Sequence, residues 1–148
     1  MRTIFIESES ETRRFGLRLA GNIKAGDVVA LVGCLGAGKT ALTRYIAEGL
    51  GVSEDIASPT FTIIREYYSG RLPLYHFDAY RLRSEDEMHE LGYEEYFFGG
   101  GVSIVEWADR VSGVIPAGSK VIRMSYGTGE FERIYEIAEA GTGEICAF

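Results

Sequence analysis

Gly33-Cys34-Leu35-Gly36-Ala37-Gly38-Lys39-Thr40 satisfies the phosphate-loop pattern G-x-x-x-x-G-K-[ST] at every fixed position. The residues on either side supply the context this pattern requires. Val28-Val29-Ala30-Leu31-Val32 is a short apolar run of the kind that forms a buried parallel strand. Ala41 to Leu50 has apolar residues at Leu42, Tyr45, Ile46 and Leu50, the spacing of one helix face. Strand, glycine loop and helix together predict an α/β fold that binds a nucleotide. Glycines let backbone N–H groups close around phosphate oxygens, and the helix N-terminus adds a favourable dipole. Lys39 is placed to reach the β- and γ-phosphates, and the Thr40 hydroxyl to ligate Mg²⁺.

Working outward, Thr3 to Glu7 alternates like a short strand, and Ser8-Glu9-Ser10-Glu11 is a capping box that opens a helix to about Ile23. Downstream of the loop, Ser58-Pro59-Thr60 precedes two strands, Phe61 to Tyr68 and Leu72 to Tyr80, with a tight turn at Ser69-Gly70. A second capping box, Ser84-Glu85-Asp86-Glu87, predicts a helix to about Phe97. Val102 to Glu106 is a further buried strand, and Val111 to Ala117 a turn-rich connection. Lys120 to Tyr126 and Phe131 to Ala140 pair as a closing hairpin. These elements predict a three-layer α/β sandwich with a mixed, mainly parallel sheet and a C-terminal hairpin. The 148 residues form a single domain, residues 1–148, with a loosely held tail from about 141.

Composition narrows the functional classes. The chain has 22 acids against 15 bases and a net charge of −7, which disfavours it as the main nucleic-acid binder. An acidic accessory protein acting beside a basic partner remains compatible. No window approaches the ~20 apolar residues of a membrane span. Met1 to Glu11 has no apolar signal region, and Cys34 and Cys146 do not make a disulfide framework. The expected location is the cytoplasm.

Hydrolysis needs a carboxylate on the metal side, and two strands end in one. Leu74-Tyr75-His76-Phe77-Asp78 and Ser103-Ile104-Val105-Glu106 both terminate in an acid, and ligands of open α/β sheets sit beyond the carboxyl ends of strands. Asp78 and Glu106 are therefore both candidates for the Mg²⁺ side. Thr60 is either a switch threonine that senses the γ-phosphate or part of a proline turn that launches the next strand. His76 and His89 are two lone histidines and make no metal site. The many tyrosines are explained by strand and core packing.

The loop, the Ser58-Pro59-Thr60-Phe61-Thr62 block, His76-Phe77-Asp78-Ala79-Tyr80-Arg81, Glu87 through Leu91-Gly92, and Val105-Glu106-Trp107 together resemble the TsaE family, formerly YjeE. The resemblance runs from about Ser8 to Tyr126. It implies an ATPase of threonylcarbamoyladenosine synthesis on tRNA that binds ATP or ADP with Mg²⁺, turns over slowly alone, and acts with TsaB and TsaD. Transfer to the adenosine beside the anticodon belongs to those partners, so contact with tRNA is indirect. By the same resemblance, Leu35, Gly36, Ala37, Gly38, Lys39, Thr40 and Ala41 bind the phosphates. Thr40 and Glu106 hold Mg²⁺, Asp78 supports the metal or the water, and Thr60 is the switch. Trp107 lies close to the nucleotide, while Glu9, next to Ser10, and Arg133 border the adenine or phosphates. This chain departs from the family with Cys34 where Asp is usual and Ala41 where Thr is frequent; the backbone amides at 34 still serve. A small phosphate-loop kinase would share the loop but would need an arginine-rich lid and an acceptor pocket. A nucleotide-dependent binding module would share the loop but show no useful turnover.

Overall fold

The computed structural model describes residues 2–57 and 63–141. Seven strands form one sheet: β1 (Arg2–Ile6), β2 (Val28–Gly33), β3 (Ile64–Tyr67), β4 (Leu74–Asp78), β5 (Val102–Glu106), β6 (Lys120–Tyr126) and β7 (Arg133–Glu139), in the order β1-β7-β6-β2-β5-β4-β3. Four helices accompany them: α1 (Glu9–Gly21), α2 (Lys39–Gly49), α3 (Asp86–Glu90) and α4 (Tyr93–Phe97). A 3-10 helix spans Ala108–Val114.

The apolar run at 28–32 is the centre of the sheet, parallel to β5 on one side and β6 on the other. Its side chains alternate between two cores, as strand geometry requires. Val29 and Leu31 pack with Leu19 and Ala20 of α1 and with Leu42 and Ile46 of α2. Val28, Ala30 and Val32 pack with Phe77, Met88, Phe97 and Val111 on the opposite face. Each core is close-packed; truncating a fully buried side chain such as Phe77 costs about 3–5 kcal/mol. Helices α1 and α2 lie close because Gly16 faces Tyr45, where an added Cβ would sit 2.6 Å from the tyrosine Cβ.

The sheet is mixed, but it is parallel only in its centre. β4–β5, β5–β2 and β2–β6 are parallel; β1–β7, β7–β6 and β3–β4 are antiparallel. The expected parallel majority is therefore corrected. Strands joined by a few residues, as in the β3–β4 and β6–β7 connections, pair antiparallel because a parallel pair needs a long crossover.

Two helix expectations change in detail. Ser8 caps α1 as expected, accepting from Glu11 N at 3.3 Å, which is worth about 1 kcal/mol. The Glu11 carboxylate reaches back to the N–H of Glu7 rather than to that of Ser8, at 2.7 Å. The helix expected from the second capping box breaks in two. Gly92 takes φ +70, a left-handed conformation that ends α3 and starts α4. No side chain caps α3, and the Glu87 carboxylate accepts instead from Arg83 N at 2.9 Å. The turn-rich connection after β5 contains the 3-10 helix. Expectations for Ser58-Pro59-Thr60, for the strand start at Phe61, for Cys146 and for the tail beyond 141 lie outside the described residues. Among the described residues, no helix is long and apolar enough to cross a membrane.

Candidate active site

The carboxyl ends of β2, β4 and β5 meet the amino end of α2, and the site is built there. Between β2 and α2 the chain turns through Gly36 (φ +80) and Gly38 (φ +100), and Gly38 is the residue that starts α2. Side chains with a Cβ are strained at both angles. Cys34, Leu35 and Gly36 are exposed at the crest of the loop, Cys34 as a free thiol, while Ala37 is buried beneath it.

Lys39 folds back onto its own loop. Its Nζ donates to Gly33 O at 2.7 Å and to Cys34 O at 2.8 Å, and lies 4.0 Å from the centre of the Trp107 ring. The side chain is almost fully buried. Burial pushes the ammonium pKa down, and the negative charges of Glu106, Asp109 and Asp78 oppose that shift.

Glu106, at the end of β5, is 2% exposed. Thr40 Oγ1 donates to its Oε1 at 2.9 Å and lies 3.2 Å from its Oε2. His76 Nε2, from β4, meets Oε2 from the other side. The ring of His76 is fully buried, and its Nδ1 has no hydrogen-bond partner among the described residues. A proton on Nδ1 would be an orphan donor, so the surroundings favour the tautomer with the proton on Nε2, donated to Glu106. Asp78 is aligned with Glu106 across the β4–β5 pair and is half-buried; its Oδ1 accepts from Tyr80 N at 3.0 Å.

This donor set fits Mg²⁺. A hydroxyl and a carboxylate are hard oxygen donors, and Mg²⁺ takes few protein ligands, completing its shell with waters and phosphates. Among the described residues, no cluster of three His, Cys, Asp or Glu side chains could hold a metal by itself. Thr40 and Glu106 are the residues that would hold the ion.

Beyond Glu106 the backbone turns sharply: Trp107 has φ 59, the one positive φ among the described non-glycine residues. The turn carries the indole off the strand and over Lys39. Tyr80 leans against it, with 4.8 Å between ring centres and 50° between the ring planes, and the Arg110 guanidinium lies 5.1 Å from the Tyr80 ring and 5.9 Å from the Trp107 ring.

On the other flank, Glu9 and Arg133 share a cleft of about 150 Å³ with Thr12, Ala37, Gly38, Ala41, Phe131 and Tyr135. Helix α1 and strand β7 thus meet beside the loop. Arg133 Nε donates to Ala37 O at 3.3 Å, and Tyr126 Oη to Leu35 O at 2.8 Å. The hairpin therefore clasps two loop carbonyls. Glu9 Oε1 accepts from Tyr45 Oη at 2.9 Å.

Lys39, Thr40, Glu106, Asp78 and Trp107 are thus gathered at one end of the sheet, with Glu9 and Arg133 on the flank beyond α2. Thr60 lies outside the described residues. Sequence reasoning missed His76 and Tyr126. The first had a signal: alternation along 74–78 puts His76 and Asp78 on one face of the strand. Tyr126 had none, because its contact with Leu35 joins residues 91 apart in sequence.

Comparison with known proteins gives a consistent picture. The profile of a family described as "Threonylcarbamoyl adenosine biosynthesis protein TsaE" matches residues 6–134. The tRNA threonylcarbamoyladenosine biosynthesis protein TsaE of Bacillus subtilis is 52% identical over 106 residues, which cover 72% of this chain and 66% of that protein. The protein of the same name from Haemophilus influenzae is 33% identical over an alignment of 153 positions, covering 99% of this chain and 96% of that one. A crystal structure of Bacillus subtilis YdiB superposes with a TM-score of 0.81 at 38% identity, covering 95% of this chain and 86% of that one.

Proposed function

The chain belongs to the TsaE family of threonylcarbamoyl adenosine biosynthesis proteins, and on that premise we propose that it binds and hydrolyses Mg²⁺-ATP to sustain formation of threonylcarbamoyladenosine on tRNA. Its partners in this reading are the TsaB and TsaD homologues, which carry the transfer step, and its contact with tRNA is indirect.

The observation that carries the reading is the meeting of Thr40 with Glu106. A hydroxyl from the loop helix and a buried strand-end carboxylate, 66 residues apart, converge at 2.9 Å beside the phosphate loop. A loop serving only as a turn has no need of a charged, buried partner, and burying a lone carboxylate is costly.

Each residue then has a task. The amides of residues 35–40 receive the phosphate oxygens at the start of α2. Lys39 exchanges its two carbonyl contacts for phosphate oxygens; its ammonium is already desolvated, so that cost precedes binding. Thr40 and Glu106 would hold Mg²⁺, which when bound would supply positive charge to neutralise the phosphates. Asp78 orients the water that attacks the γ-phosphorus as the bond to the bridging oxygen breaks, leaving ADP and phosphate. Thr60 senses the γ-phosphate. Trp107 covers the phosphate side of the nucleotide, and the Glu9–Arg133 cleft takes the adenosine end.

The test is reconstitution with cognate TsaB and TsaD. Phosphate release from ATP should be slow alone and rise with both partners, and modified tRNA should accumulate over many turnovers only when all three proteins and ATP are present. Failure to bind ATP would overturn the reading, and so would transfer of phosphate to a small acceptor instead of water.

A further inference from the structure

We propose that His76 is a positioning residue for the metal-side carboxylate: it fixes Glu106 so that one oxygen faces Thr40 and the cation. The proposal rests on the Mg²⁺-ATP reading above.

The two oxygens of Glu106 are held unequally: only Oε2 meets His76, and the Thr40 hydroxyl lies nearer Oε1 than Oε2, at 2.9 Å against 3.2 Å. With Oε2 engaged, rotation of the carboxylate would break a buried hydrogen bond. Oε1 is thereby held toward the loop. The strands enforce this division. His76 and Asp78 share a face of β4, Ile104 and Glu106 share the matching face of β5, and the register sets His76 against Ile104 and Asp78 against Glu106. The ring therefore lies one step behind the carboxylate, on the side away from the strand end. His76 and Glu106 are 0% and 2% exposed, so water does not substitute for the missing partner when either is removed. A histidine kept for packing alone would not need an atom directed at Glu106, the one buried carboxylate among the described residues.

Outer partners of this kind orient a metal ligand without touching the metal, and their loss costs about 10–100-fold in metal affinity. The experiment uses the whole chain and compares wild type with His76→Leu, His76→Gln and His76→Asn. Calorimetry measures ADP binding across a Mg²⁺ titration and in its absence, and hydrolysis is followed over the same Mg²⁺ range. In His76→Leu the half-saturating Mg²⁺ should rise about 10-fold or more, while Mg²⁺-free ADP affinity stays within about twofold and saturating Mg²⁺ restores most of kcat. His76→Gln keeps a donor with similar reach and should recover much of the loss. His76→Asn keeps the amide without the reach and should not; it makes the comparison if His76→Leu does not fold. In a Glu106→Gln background, His76→Leu should add little, because the group it acts through has changed.

A folded His76→Leu or His76→Asn protein with wild-type Mg²⁺ dependence overturns the proposal. So does an equal loss with and without Mg²⁺, which marks a structural histidine. If wild-type ADP binding itself ignores Mg²⁺, the functional reading falls and takes this inference with it. If wild type depends on Mg²⁺ and the variants match it, only the inference falls.

Discussion

Asp78 and Glu106 stand opposite each other on neighbouring parallel strands, yet their surroundings differ sharply. Glu106 is buried between Thr40 and His76. Asp78 is half-buried and accepts from the N–H of Tyr80. One register position thus presents two carboxylates in different settings, the arrangement expected when one holds a cation and the other handles water.

The two acids should separate by kinetics. Glu106→Ala should remove most of the Mg²⁺ dependence of nucleotide binding, with a smaller effect on binding without Mg²⁺. Asp78→Asn should keep Mg²⁺-dependent binding within a few-fold and lower hydrolysis about 100-fold, the usual size of a general-base contribution. Binding calorimetry beside a phosphate-release assay reads both. Normal hydrolysis in Glu106→Ala together with loss of metal dependence in Asp78→Asn would exchange the two roles.

Lys39→Ala tests the loop. The ammonium makes two carbonyl contacts, which phosphate oxygens would replace in the proposed site. A hydrogen bond to a charged group is worth about 1.5–3 kcal/mol, so losing two should weaken ATP binding or stimulated turnover by about 100-fold or more. Unchanged affinity and turnover would remove the phosphate-loop assignment.

The centre of the sheet, the loop and the two strand-end acids were readable because each is signalled locally. The apolar run at 28–32 meets the loop pattern within a few residues, and both acids close an apolar run. The break at Gly92 lay in plain view, yet the periodicity on either side was compatible with one helix. Packing Phe97 and Met88 into the same core required the turn. That half of the strand pairs are antiparallel was encoded only in the connection lengths. The Tyr126 and Arg133 contacts with the loop depend on which strand lies beside β2, and no local signal encodes that. The His76–Glu106 pair was half visible: the face followed from alternation, the partner only from register.

Alkaline titration offers a test away from the site. The Tyr68 hydroxyl donates to Glu66, and that bond, with a smaller contribution from burial, raises its pKa from 10.0 to about 12. Between those values the unfolded chain has released this proton and the folded chain has kept it. The unfolded state binds fewer protons there, so stability from this bond, present below pH 10, is lost as pH rises toward 12. The group is exposed, so the effect on stability is small. The ultraviolet difference spectrum should contain a late-ionising phenol that Tyr68→Phe removes and Glu66→Gln moves toward 10.0. A Glu66→Gln titration that overlays wild type would contradict this.

Trp107 gives the most direct view of the site, because the chain contains one tryptophan and its fluorescence reports one environment. The indole lies over the Lys39 ammonium at 4.0 Å and against the Tyr80 ring at 4.8 Å. A cation so close to the ring interacts with its π face. When phosphates draw Lys39 away from Gly33 and Cys34, that contact changes, and the strained φ of 59 marks a position whose conformation the surrounding contacts must hold. Titration with ATP or ADP should therefore change the emission in a saturable way, with a different amplitude when Mg²⁺ is absent. Lys39→Ala should start from a different intensity, since the cation is gone before any nucleotide is added. Its response should shrink in proportion to the binding it loses. A flat titration, in protein shown by calorimetry to bind nucleotide, would mean that Lys39 keeps its place under the indole when phosphates arrive, and would withdraw Trp107 from the nucleotide site.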